Sequence, residues 1–134
     1  LLPAVSADAP AEVQGDCCGI HWSQGAQLWF RPDAPGRSVT VSFTVPTTGT
    51  YRLRLVQTLA RDYGVNTVAI DGTPIGDPFD AYHSPEVVVS EPLDYGQRDL
   101  TAGAHTLTLT VTGKAPASVG YLAGLDYVEA QLTS

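Results

Sequence analysis

Four short stretches of this 134-residue chain set an aromatic ring among polar side chains: Trp22 near Gln24, Tyr63 beside Arg61 and Asp62, Tyr82 with Asp80 and His83, and Tyr121 in V-G-Y-L-A-G. An aromatic face attracts the apolar C–H face of a ring-shaped ligand, and a two-headed polar side chain nearby pairs with neighbouring hydroxyls. A pyranose sugar offers both surfaces, so these pairings suit saccharide recognition. Glycoside hydrolysis would instead need two carboxyls held about 5 to 9.5 Å apart. Nothing in the sequence pairs Asp62 with Asp80 for that work, and neither G-x-S-x-G nor H-E-x-x-H occurs. The expectation is a binding protein and not an enzyme.

Cys17 and Cys18, in G-D-C-C-G-I-H-W-S-Q-G, are the only cysteines. Three readings stay open. They are two free thiols, buried or half-buried; or a vicinal disulfide, because in an oxidising compartment each sulfur has only its neighbour as an intramolecular partner; or part of a metal site with His21, at a spacing that matches no zinc pattern. The vicinal bond is geometrically awkward, since adjacent Cα atoms lie about 3.8 Å apart across a trans peptide, less than disulfides usually span. If formed, it is a stiff apolar plate on the same rim as Trp22 and Gln24.

These loops need a rigid support, and the intervening residues supply strands. In G-A-H-T-L-T-L-T-V-T-G, Leu107, Leu109 and Val111 alternate with Thr106, Thr108, Thr110 and Thr112, the period of a strand with one buried face. After a loop closed by Gly113, Pro116 and Gly120, a partner strand is expected over about 121–132, with Leu122, Leu125, Tyr127 and Val128 as its apolar or aromatic members. Further strands are expected at A-Q-L-W-F-R, with Leu28 and Phe30 on one face and Gln27 and Trp29 on the other, and at S-V-T-V-S-F-T-V. In Y-R-L-R-L-V-Q-T-L, Tyr51, Leu53 and Leu55 face one way and Arg52 and Arg54 the other. Asp71-Gly72 predicts a hairpin turn. A long loop is expected over D-P-F-D-A-Y-H-S-P, then a strand with an irregular end over E-V-V-V-S-E-P-L-D-Y-G, for eight to ten strands in all.

Composition agrees. Hydrophobic residues are 43% and charged residues 16%, with 13 Gly and 10 Pro spread along the chain, the mark of many short elements joined by turns. The fold class expected is all-β, a two-sheet antiparallel β-sandwich of jelly-roll type. A net charge of −7 with a single Lys excludes a nucleic-acid partner and disfavours an anionic membrane surface, both of which need clustered cations. No apolar run approaches the roughly 20 residues of a membrane span. The chain holds no Met, which reads as a module excised from a larger parent. Residues 1–12, rich in Ala and Pro, are expected to be a linker or a first edge strand, and 13–134 a single domain, acting as a monomer.

Taken together, G-T-Y-R-L-R-L (Gly49 to Leu55), V-A-I-D-G-T-P-I-G (Val68 to Gly76), A-G-A-H-T-L-T-L-T-V-T-G (Ala102 to Gly113) and V-G-Y-L-A-G-L-D-Y-V (Val119 to Val128) resemble the β-sandwich carbohydrate-binding modules of families six and thirty-five. They are also similar to the galactose-binding-like jelly rolls appended to bacterial polysaccharide-degrading enzymes. The resemblance covers roughly Trp22 to Leu132. It implies a secreted, noncatalytic carbohydrate-binding module that targets a parent glycoside hydrolase or polysaccharide lyase in the same chain to its glycan. Binding would use loops at one end of the sandwich or, in some relatives, a sheet face, with Tyr121 in the loop before the final strand. The resemblance requires no cofactor but allows a structural calcium, with Asp126 and, more loosely, Glu12 as its carboxylates. The alternative is a structural or protein-interaction sandwich without a sugar site.

Overall fold

The computed structural model describes residues 4–7, 11–15, 26–84 and 87–133. Eleven strands are found among them and no helix: β1 (Ala4–Ala7), β2 (Ala11–Gly15), β3 (Ala26–Phe30), β4 (Arg37–Val45), β5 (Gly49–Leu59), β6 (Val65–Ile70), β7 (Thr73–Asp80), β8 (Val88–Val89), β9 (Leu93–Leu100), β10 (Gly103–Gly113) and β11 (Ala123–Leu132). They form two antiparallel sheets. One runs β1-β4-β10-β6-β7; the other runs β2-β3-β11-β5, with β8 and β9 both pairing the far side of β5.

Alternation decides which side chains meet between the sheets. On β4, Val39, Val41, Phe43 and Val45 turn inward, and on β10 Leu107, Leu109 and Val111 do the same. The pairing Leu107↔Val41 and Leu109↔Val39 sets these residues opposite one another, so one register slip would expose the whole apolar set. Leu28, Phe30, Tyr51, Leu53, Leu55 and Leu125 face them from the second sheet and complete one core. Each such side chain, fully buried, contributes about 1.5–3 kcal/mol of hydrophobic free energy.

The eleven strands found among the described residues exceed the eight to ten expected, because the segment 88–100 and the first fifteen residues each supply two strands, and three further expectations need correction. The stretch expected as a long loop from Asp77 is strand as far as Asp80, because β7 is an edge strand, where the missing N–H of Pro78 costs no ladder bond. The single irregular strand after Glu86 is two elements: a two-residue β8 and a full β9 that reaches Leu100. The last strand begins at Ala123 and not at Tyr121, since Leu122 is already bridged to Tyr63. The hairpin turn at Asp71-Gly72 is present, with φ of 50° and 84° at its two positions, the left-handed pair that such a turn requires.

At the pole carrying that turn, His105 on β10 links two turns. Its Nδ1 lies 2.6 Å from Asp71 Oδ2, and its Nε2 lies 2.6 Å from the carbonyl of Thr101, which only accepts. The bond to Thr101 and the Asp71 carboxylate raise the imidazole pKa against a smaller opposing effect of burial. Desolvation pushes the Asp71 carboxyl up, but the N–H of Thr106 and the His105 ring together bring it below its ordinary value. A raised histidine stabilises the fold fully below its ordinary 6.5 and loses that contribution as pH climbs through the folded value. A lowered carboxyl stabilises above its ordinary 3.8 and loses it as pH falls through the folded value. The pair therefore contributes most between pH 3.8 and 6.5. Chemical denaturation across pH 4 to 9 is expected to show stability declining above pH 6.5, with that decline absent in His105→Gln. An unchanged slope in the variant would remove the link.

Candidate functional site at the loop pole

The opposite pole is built from loops stitched to one another by backbone bonds. Residues 60–64 lie in the middle. On one side, Leu122 N–H donates to Asp62 O (3.0 Å), Gly64 N–H to Leu122 O (2.9 Å) and Val119 N–H to Arg61 O (3.0 Å). On the other, Ala60 N–H donates to Ala81 O (3.0 Å), Ala81 N–H to Gly64 O (3.1 Å) and His83 N–H to Ala60 O (3.1 Å). The buried Ser118 hydroxyl reinforces the first seam, with Tyr63 O at 2.7 Å, Gly120 O at 3.0 Å and Arg61 O at 3.2 Å within its reach. Two glycines permit this approach. A Cβ on Gly120 would sit 2.8 Å from Asp62 O, and one on Gly64 would sit 2.6 Å from Gly113 O.

Beneath the loops lies a small second core of Ala60, Tyr63 and Ala81, with Trp29, Phe79, Val87 and Leu122 packed on it. Trp29 is half-buried and not fully interior, and the Arg31 guanidinium covers its ring at 4.9 Å from the centroid. The cluster fixes the loops as a packed layer instead of free tips.

A hollow of about 440 Å³ opens on this layer where the 31–36 loop meets the segment 119–122. Asp33, Asp62 and the half-buried Tyr121 line it, together with Pro32, Gly120, Leu122 and the 76% exposed Val119. An aromatic side, apolar edges and two acceptor-only groups can hold a small polyhydroxylated ring.

Of the residues expected at a site, Asp62 and Tyr121 come together here. Arg61 is exposed next to Asp62 and does not line the hollow. Tyr63 is a correction: it is only 4% exposed and belongs to the small core, so its ring is no stacking platform. Asp80 ends β7, and Tyr82 and His83 follow it on the far side of the 60–64 segment, away from the hollow; Asp80 Oδ1 accepts the Tyr82 N–H at 3.0 Å. Cys17, Cys18, Trp22 and Gln24 lie outside the described residues. Glu12, on β2, pairs with Trp29 of β3, and Asp126 sits at the register break of β11 between Leu125 and Tyr127; their side chains lie outside what is described. Among the described residues, no three His, Cys, Asp or Glu side chains gather in a way that could hold a metal.

Sequence reasoning missed Pro32, Asp33 and Val119. R-P-D-A-P-G reads as a turn between strands, and Val119 as part of a loop. Only the crossing of the 31–36 loop over the 119–122 segment makes them neighbours.

No protein-family model matches the sequence, and no curated protein matches it. Solved structures do. A xanthan lyase from Paenibacillus superposes with a TM-score of 0.86 at 26% identity over 98% of this chain, which spans 12% of the lyase chain. A family 35 carbohydrate-binding module from an environmental isolate gives 0.61 at 15% identity, covering 97% of this chain and 87% of that one. A family 35 module from Paenibacillus barcinonensis gives 0.60 at 15%, covering 96% and 92%. Among the described residues no helix is long and apolar enough to cross a membrane. With two antiparallel sheets, loops gathered at one pole and these structural neighbours, the chain has the jelly-roll β-sandwich fold of the family 35 carbohydrate-binding modules.

Proposed function

We propose that this chain is a noncatalytic carbohydrate-binding module, carried by a larger secreted glycan-degrading enzyme, and that the loop-pole hollow receives one sugar ring of the glycan. The observation that carries the proposal is the meeting of Tyr121, Asp62 and Asp33 around one hollow on a layer too tightly stitched to collapse into it. A preorganised concave site with few polar groups keeps the ordering cost of binding low. The similarity to a segment of a xanthan lyase supports a polysaccharide-degrading parent. On this reading the module's contribution is to raise the local concentration of its parent at the glycan.

Isothermal titration against a glycan panel tests this. Asp62→Asn and Tyr121→Ala are each expected to weaken binding about tenfold, the equivalent of one charge-assisted hydrogen bond or one stacked face. Because Tyr121 also packs on the main core, its variant is compared only at temperatures where circular dichroism shows it folded. Binding that is unaltered in both variants places the site elsewhere. If no glycan binds the wild type, a protein-interaction role takes its place.

A further inference from the structure

Building on the carbohydrate reading of the hollow, we infer that it takes an uncharged glycosyl residue and rejects a uronate, so that the module reads the neutral sugars of its polysaccharide. Asp33 and Asp62 both line the hollow, and among the described residues neither carboxylate is engaged by a cation. No Lys or Arg lines it. The residues outside the description contain none either, because all seven Lys and Arg fall within the described stretches.

Of the cations closest in the chain, two have other work, and the exposed side chains of Arg37 and Arg61 lie outside the lining. Lys114 Nζ donates to Ser118 O at 3.0 Å, and the Arg31 guanidinium lies over Trp29. Arg61 turns its backbone carbonyl toward the seam, where Val119 N–H donates to it and Ser118 Oγ lies 3.2 Å away, and its exposed side chain is outside the lining.

Among the described residues, a sugar carboxylate in this hollow would meet two like charges and no lining cation. At about 6 Å, each like charge opposes it by roughly 0.7 kcal/mol even with water's dielectric constant, so two amount to about tenfold in affinity, and more where water is excluded. The chain's net charge of −7 adds a long-range repulsion that slows approach of any polyanion. Sugar hydroxyls behave oppositely, because each carboxylate is an acceptor that two adjacent O–H groups can share.

The test titrates the full chain with matched methyl glycosides and methyl uronates of the gluco, galacto and manno series at low ionic strength in EDTA, reading 15N–1H shifts of the 33, 62 and 119–122 amides. At least one neutral glycoside is expected to shift these amides, with its uronate partner about tenfold weaker or more. The gap should shrink with added salt and close in Asp33→Asn/Asp62→Asn, where exposed or half-exposed side chains change without loss of fold. A uronate that binds as tightly as its neutral partner, in EDTA or only once calcium is added, overturns the inference and leaves the carbohydrate reading standing. If no glycoside of either kind moves these amides, both the inference and the hollow's role as a sugar site fall.

Discussion

Gln57→Leu is expected to destabilise the sandwich by about 4 kcal/mol, while Gln57→Leu/Asn66→Leu regains much of that loss. Gln57 on β5 and Asn66 on β6 are both fully buried and join the two sheets through reciprocal amide bonds, Asn66 Nδ2–H to Gln57 Oε1 at 2.8 Å and Gln57 Nε2–H to Asn66 Oδ1 at 3.2 Å. The second Nε2 hydrogen goes to the Tyr95 hydroxyl at 2.9 Å. Every amide group of this network is satisfied, which lets it exist in a dry core. Burial drives the Tyr95 pKa up to about 12, a sign of how little solvent reaches that hydroxyl. Removing Gln57 alone strands the Asn66 amide and the phenol, each unsatisfied group costing about 1–3 kcal/mol. Removing both amides leaves apolar surface with less to satisfy. Urea unfolding of both singles and the double settles it: single-variant losses that simply add, within about 0.5 kcal/mol, would mean the two amides are not coupled.

Gly64→Ala is expected to cost about 3 kcal/mol and to weaken ligand binding at the hollow as well. The added Cβ would lie 2.6 Å from Gly113 O, 3.0 Å from Val111 Cγ1 and 3.2 Å from Tyr121 Cα. Two of these neighbours are backbone atoms, and no rotamer change relieves them. The 60–64 segment and the strand end at Gly113 must separate, carrying Tyr121 with them. Gly36→Ala is the contrast, since its Cβ meets nothing and its only burden is a φ of +91°. The comparison separates crowding from backbone strain: thermal unfolding should place Gly64→Ala well below Gly36→Ala, and equal losses would refute the crowding argument. A Gly64→Ala protein that folds with its hollow amide shifts unchanged would show that Tyr121 is positioned by something else.

Much of the architecture was written in two-residue periodicity. Val39 to Val45, Tyr51 to Leu55 and Leu107 to Val111 fall inward as their alternation requires, because the side-chain period of a strand is two and only one face meets the opposite sheet. The Asp71-Gly72 turn was equally local, fixed by which residues tolerate positive φ. The chain's acidity and the location of all its cations are also sequence properties, and the proposed preference for neutral sugars rests partly on them.

Tertiary structure decided the rest. L-D-Y-G-Q-R-D-L carries no clean alternation, and it becomes β9 because the free side of β5 offers it a ladder of hydrogen bonds. Tyr63 looks like an exposed ring beside two charges, yet the small core draws it in, since burying a ring is worth more than leaving it in water. The hollow unites Asp33, Asp62 and Tyr121 across nearly ninety residues of sequence, by the contact of loops whose meeting depends on sheet order and on two glycines. Local pattern reports which face of a strand is apolar; which loops share a pole follows from how the strands are ordered in the sheets, a property of the whole chain at once.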